Sequence, residues 1–362
     1  MIDEEMRQLV RQDCLASLKL QPKLATLLRD QRIAVVGGTG FIGTWIAETV
    51  AVLNDELGGA TRLDLFGRSA SAWKTANPRL AAREDLQVKR LDVRSSFDFS
   101  NETTLVLFAA GIADPRVHAS DPFLVHETAL QGAANTLAAA SRLESLHRFV
   151  NLSSGLVLGE QMHYGALKES DIGLLDFTRV HNAYAESRRA AESLVSLYAS
   201  QYRIPVSTAR AFTFLGPYQS LDAPWAVTNF MRDALFGNEI RLHGDGATRR
   251  SYLYGSDAAA WLLRMLIDGR DGAVYNLGGK QVFSHSSVAK KVASLTVSAP
   301  SLIFKSQPAI TDRRNDFIPD LANVKASLGL SQALDIDEAL MHTMKWHAYR
   351  LGMLRSISLE QG

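Results

Sequence analysis

A single cysteine, Cys14, stands in a chain of 362 residues. That excludes an intrachain disulfide framework and any cysteine-based zinc site, and it fits a reducing compartment. Charge of either sign is not in excess. Lys and Arg number 39 against 38 Asp and Glu, a formal net charge of +1. Nucleic acid and anionic membrane therefore have no bulk electrostatic attraction to the chain. Long apolar runs are missing too. The stretch Leu105 to Ala113 is among the longest, and it is too short to span a bilayer. The start, Met1-Ile-Asp-Glu-Glu, is acidic and lacks the basic-then-apolar order of a signal peptide, so a cytoplasmic location is expected. No internal repeat and no low-complexity segment is visible. The nine histidines include no H-E-x-x-H, and His342 with His347 lacks the partners of a metal site, so no metal is expected.

What is present is an ordinary globular composition, 46% apolar and 21% charged, in a chain long enough for a large core. Residues 31 to 43 organise it. Arg32 to Val36 is a short apolar run ending in glycine, which predicts a buried strand. Gly37, Gly38, Gly40 and Gly43 follow, and Phe41 to Leu53 then has helical spacing. Strand, glycine turn and helix in that order make a pyrophosphate site. The turn lets backbone approach the phosphates, and the helix start offers free N–H groups and a positive dipole end. The cofactor contacts expected here are Gly37, Gly40, Phe41, Ile42 and Gly43.

Residues 1–30 read as one or two amphipathic helices broken near Pro22, a helical extension without chemistry of its own. Arg62 to Phe66 reads as the second strand. An acidic residue near the end of this strand would bind the ribose hydroxyls of NAD. Gly67, Arg68 and Ser69 stand there instead, leaving room and charge for a 2′-phosphate. This favours NADP(H), with NAD(H) as the alternative; Asp64 lies too early in the strand for the ribose. Val88 to Val93 reads as a third strand, with Asp92 and Val93 at its cofactor end. Thr103 to Ala110 reads as a fourth, where the small Ala109 and Ala110 let a cofactor lie flat. Glu127 to Ser141 reads as a helix, and Arg148 to Leu152 as a fifth strand running into Ser153-Ser154-Gly155. Strands alternating with helices at this spacing predict an α/β fold, a doubly wound parallel sheet of Rossmann type.

A second informative stretch is His181-Asn-Ala-Tyr184-Ala-Glu-Ser-Arg188. On a helix, Tyr184 and Arg188 share a face. A cation beside a phenol favours loss of the phenolic proton, so such a tyrosine can give or take a proton while a hydride moves. His181 would lie near the same face, as a pocket residue rather than a second acid or base.

With these residues in place, the sequence resembles the extended short-chain dehydrogenase/reductases, the nucleotide-sugar epimerases, dehydratases and reductases. The resemblance runs from about Arg32 to Trp346. It is carried by the glycine turn, by Leu91-Asp92-Val93, by Phe149 to Gly159, by Tyr184, and by Ala209 to Pro217. Gly244 to Asp257 and Arg313-Arg-Asn-Asp316 add the later motifs. It implies catalysis by Ser154, Tyr184 and Arg188, the last two also touching the cofactor. It implies substrate contacts from Ser154, Tyr184, Asn229, Arg250, Tyr252 and Arg313 to a nucleoside-diphosphate sugar. Further implications are a cofactor lobe over 31–216, a smaller discontinuous α/β substrate lobe mainly within 217–362, and a homodimer through a four-helix interface. His163 and Tyr164 fall in a longer-than-usual stretch that could serve as a substrate lid.

Three departures stand out. Arg188 replaces the usual lysine, Thr213 replaces an asparagine, and Ala129 replaces another. Where family dehydratases carry an acid pair, this chain has Gly155 and Leu156, and the related decarboxylases use a glutamate where Leu156 stands. The remaining chemistry needs only Ser, Tyr and a nicotinamide. The reading is a 4-keto-sugar reductase. The alternatives are a 4-epimerase and, because of Arg188, a non-catalytic dinucleotide-binding regulator or scaffold.

Overall fold

Four strands rich in branched and aromatic residues form the centre of the fold: β1 (Arg32–Val36), β2 (Arg62–Gly67), β4 (Leu105–Phe108) and β5 (Arg148–Ser154). With β3 (Leu86–Arg90), β6 (Val206–Ala211) and β11 (Ala273–Leu277) they make one parallel sheet in the order β11-β6-β5-β4-β1-β2-β3. β4 is buried along its whole length, as a strand covered by helices on both faces must be. The structure, a computed structural model, describes residues 4–161, 165–305 and 316–358.

One face of the sheet carries α7 (Pro122–Ala140) and α8 (Ala183–Tyr202), packed around Phe108, Leu137, Phe149 and Val195. The other carries α3 (Phe41–Glu56) and α10 (Gly255–Asp268), with Trp45, Ile46 and Leu262 in its core. Short helices fill the turns: α4 (Ala70–Ala76) and α5 (Pro78–Ala81) after β2, and α6 (Pro115–Ser120) after β4.

The N-terminal residues form α1 (Glu4–Lys19) and α2 (Leu24–Leu27), on either side of Pro22. α1 buries Met6, Val10, Cys14 and Leu18, a one-sided apolar stripe. Its buried polar groups are matched across the interface. The Tyr254 hydroxyl donates to Asp13 Oδ2 at 2.7 Å, His342 Nδ1 lies 2.8 Å from Asp13 Oδ1, and Ser17 donates to Asp257 at 2.9 Å.

The later chain builds a smaller layer over the carboxyl ends of the strands. It contains α9 (Ala226–Leu235) and α11 (His285–Ser294), with β8 (Ile240–His243) parallel to β13 (Leu302–Lys305). β9 (Arg249–Ser251) pairs with β12 (Val282–Ser284) and β14 (Asp316–Phe317), and β7 (Phe214–Leu215) pairs with β10 (Leu253–Tyr254). α12 (Ala322–Leu328) packs on β11 and α10, and α13 (Ile336–Arg350) touches α1, α9 and α11.

Several boundaries differ from the sequence expectation, β2, β5 and α3 each running one to three residues further than expected. β3 covers Leu86–Arg90 rather than Val88–Val93, so Asp92 and Val93 sit in the loop after it. β4 has four residues, not eight. The helix expected from Glu127 begins at Pro122, where Asp121 caps it by accepting from the Leu124 N–H at 3.0 Å and proline occupies the first turn. Asp64, set aside as a ribose ligand, is 1% exposed and pairs with Arg32 at 2.9 Å and Lys89 at 3.4 Å.

Candidate active site

The cleft begins where β1 meets the glycine turn. Gly37 takes φ +91°, and a Cβ there would lie 2.5 Å from the Ala110 nitrogen, so only glycine lets the turn sit against the end of β4. Gly40 is the N-cap of α3 and contributes no side chain, leaving the helix N-terminus open toward the cleft. Gly37, Gly40, Phe41 and Ile42 line a cavity of about 730 Å³; Gly43 does not. Gly43 lies one step further into α3, where a Cβ would strike the Gly38 carbonyl oxygen at 2.1 Å, so it packs the helix onto the turn. The bare turn, the open helix end and the small Ala109 and Ala110 on the same wall fit a dinucleotide.

Gly67, Arg68, Ser69, Asp92 and Val93 line the cavity at the carboxyl ends of β2 and β3. Gly67 has a second cause: a Cβ there would lie 2.2 Å from Thr39 Oγ1, so the glycine turn itself requires it. The Arg94 guanidinium donates to Asp92 at 2.7 Å and holds its carboxyl down at about 2, with Arg68 adding a weaker pull. Asp92 is therefore a fixed negative charge beside Arg68.

In the middle of the cleft stand Ser154, Tyr184 and Arg188. Ser154 ends β5, and its Oγ accepts from the Leu156 N–H at 3.2 Å. Tyr184 lies in the first turn of α8, and Arg188 one turn on, as the spacing predicts. The Arg188 guanidinium carbon is 5.4 Å from the centroid of the Tyr184 ring, and Nη1 donates to the Leu152 carbonyl at 3.3 Å. Arg188 is 5% exposed, and its Nε has no protein partner among the described residues. The hydroxyl of Ser153, which lines the same cleft, is in the same condition.

At the far end, Arg250 on β9 and Tyr252 line the cavity. The Arg250 guanidinium lies 5.7 Å from the Phe317 ring, and partial burial pulls it below its ordinary value. Burial pushes the Tyr252 phenol up to about 12, against the pull of Arg250. Asn229 is not brought to the cleft. Its position on α9 turns it along the helix, where Oδ1 accepts from Arg232 at 2.8 Å, and Trp225, Ala226 and Val227 line the wall instead. Arg313, His163 and Tyr164 lie outside the described residues. His181 lines an adjoining cavity of about 340 Å³, which shares His118, Leu156, Tyr184, Arg250 and Phe317 with the main cleft.

The sequence reading missed His118, Trp225, His285 and Phe317. The His118 ring stacks on Tyr184 with centroids 4.6 Å apart. Burial, and then the charge of Arg250, pulls His285 down to about 4, so it faces the cleft as a neutral imidazole. No local pattern marks these residues, since each arrives from a loop or a remote element.

The family model described as the NAD-dependent epimerase/dehydratase family matches residues 33–278. UDP-glucuronic acid decarboxylase 3 of Arabidopsis thaliana is 27% identical over 313 residues, covering 86% of this chain and 87% of that one. UDP-N-acetyl-alpha-D-glucosaminuronate decarboxylase of Bacillus cytotoxicus is 26% identical over 326 residues, covering 87% and 97%. Among solved structures, the UDP-glucose 4-epimerase of Thermotoga maritima with UDP-glucose superposes with a TM-score of 0.75 at 20% identity, covering 89% of this chain and 100% of that one. The enzyme WbmF of Bordetella bronchiseptica in complex with NADH does so at 0.75 and 21%, covering 90% and 94%. The chain belongs to the NAD-dependent epimerase/dehydratase family.

Proposed function

We propose that this protein is a nicotinamide-dependent oxidoreductase acting at C4 of a nucleoside-diphosphate sugar. The observation that carries the reading is the convergence of Ser154, Tyr184 and Arg188 on one cleft, between the glycine turn and the Arg250–Tyr252 end. A nicotinamide held in the cleft would supply or accept the hydride. The Tyr184 hydroxyl gives its proton to the sugar oxygen in reduction and takes it back in oxidation. Ser154 holds that oxygen with its hydroxyl. Arg188 puts positive charge against the ring that becomes negative when the proton leaves. Arg250 faces the diphosphate, whose planar oxygens suit a guanidinium.

Leu156 and Gly155 carry no proton to transfer, which weighs against the decarboxylation named for the relatives and against 4,6-dehydration. A 4-keto-sugar reductase using NADPH is the first reading, supported by Arg68 and Ser69 at the adenosine end. A 4-epimerase using NAD is the second, supported by solved neighbours such as UDP-glucuronic acid 4-epimerase from Bacillus cereus in complex with NAD, and by Thr39 as the packing cause of Gly67.

Mass spectrometry of denatured purified protein, followed by titration with NADPH and NADH, separates the two. An empty site preferring NADPH supports the reductase. Retained NAD(H) supports the epimerase and overturns the first reading. No binding of either cofactor overturns both and leaves the non-catalytic alternative.

A further inference from the structure

Arg188 stands where the family resemblance leads one to expect lysine, and the structure contains a feature that fits the larger side chain. A Cβ built on Gly111 would lie 1.6 Å from Arg188 Nη2, 2.7 Å from Cζ and 3.5 Å from Nη1. These are its three nearest heavy atoms, so the Arg188 guanidinium occupies the space a side chain at 111 would need. Gly111 is not among the residues with left-handed backbone, so glycine is not required by its own conformation.

The Arg188 side chain has further contacts and also lines the cleft. It is 5% exposed, donates to the Leu152 carbonyl, and lies against the Tyr184 ring. An ordinary contact with a new Cβ begins at 3.4 Å, so Nη2 would have to retreat by about 2 Å, out of its place beside Tyr184 and toward the cleft that Arg188 lines. Arginine is planar and forked, and it needs a flat slot that a lysine ammonium does not.

We propose that Gly111 is a positioning residue matched to Arg188: its missing side chain forms the slot that holds the guanidinium in register with Tyr184. Arginine at 188 is then a rebuilt cation site, not a decayed lysine site. The functional part of this inference rests on the reading of Tyr184 and Arg188 as the reaction centre; the pairing rests on geometry alone.

A double-mutant cycle tests it, with NADH affinity by fluorescence titration and melting temperature as two separate readouts. Gly111→Ala weakens NADH binding by about tenfold or more and lowers the melting temperature, because the guanidinium is displaced. Arg188→Lys weakens binding modestly. The double variant binds NADH within about twofold of Arg188→Lys alone, because the shorter ammonium leaves room for the new methyl. Wild-type behaviour of Gly111→Ala in both readouts overturns the proposal, as does a double variant whose losses multiply.

Gly111→Ala in an Arg188→Ala background keeps the test open if the single variant does not fold. That protein folds and melts like Arg188→Ala alone if the guanidinium is the obstacle; failure to fold there contradicts the pairing. A wild-type protein that binds neither NADPH nor NADH defeats the cofactor reading, while the melting cycle still decides the pairing.

Discussion

The His118 ring lies flat on the Tyr184 ring, centroids 4.6 Å apart and planes 15° apart. His118 Nε2 is 2.7 Å from the Ile112 carbonyl oxygen, so the segment after β4 holds the ring in that plane. Tyr184 is thus bounded by an imidazole face and by the Arg188 guanidinium. His118→Ala is expected to lower kcat by about two- to tenfold, the worth of an aromatic stack. His118→Phe keeps the stack and is expected to restore most of that loss in steady-state assays. Equal losses in both variants would show that the ring's nitrogens matter rather than its face.

Arg250 is expected to act on substrate binding and not on chemistry. Arg250→Ala should raise the KM for the nucleotide sugar by about tenfold to a hundredfold, the cost of losing a charge-assisted contact to a diphosphate. The kcat should change far less. A fall in kcat at constant KM would move Arg250 into the reaction itself.

α1 should matter for stability and not for the cofactor. Leu18 is 2% exposed in the interface with the main fold. Leu18→Ala should cost about 2–5 kcal/mol in denaturant unfolding, with NAD(P)H affinity unchanged. A change in affinity at constant stability would assign the N-terminal segment a role in the site.

Stability should fall on acidification from about pH 6.5 toward 4. Burial, with Arg350 adding to it, pulls His347 down to about 4. Between that value and the ordinary histidine range the unfolded chain binds a proton that the folded one does not. The contribution is therefore present above about pH 6.5 and lost as pH drops, worth up to about 3 kcal/mol. Asp257 works the other way, since burial raises its carboxyl to about 6 and the folded state there holds the extra proton. His347→Phe should flatten the acid side of a plot of melting temperature against pH. An unchanged slope would mean that other groups set it.

Much of the cleft wall at the strand ends is legible because its signals are contiguous. The glycine turn, Ala109-Ala110 and the end of β5 each announce themselves within a few residues, and the Tyr184–Arg188 pair needs only helical spacing. Asn229 failed because periodicity tells which residues share a helix face, not which way that face is turned; here it meets Arg232. His118, Trp225, His285 and Phe317 were invisible because their meeting depends on how the second layer is laid over the sheet. By sequence Gly67 reads as room for a phosphate, and its close approach to Thr39, 28 residues earlier, gives it a packing cause no local pattern contains. The accommodation of Arg188 by Gly111 is of the same kind, a fit between distant residues that only the fold reveals.

The measurement closest to the central claim compares wild type with Tyr184→Phe. Each is mixed with NADPH and a panel of 4-keto nucleotide sugars while nicotinamide absorbance is followed, and with NAD and the corresponding 4-hydroxy sugars while formation of the C4 epimer is followed by chromatography, since epimerisation returns the hydride and leaves no net absorbance change. The account predicts turnover by wild type and a loss of about a hundredfold to ten-thousandfold in Tyr184→Phe, with cofactor affinity retained. Equal turnover by the two proteins would contradict the role given to Tyr184, and absence of turnover by wild type across both panels would contradict the proposed reaction.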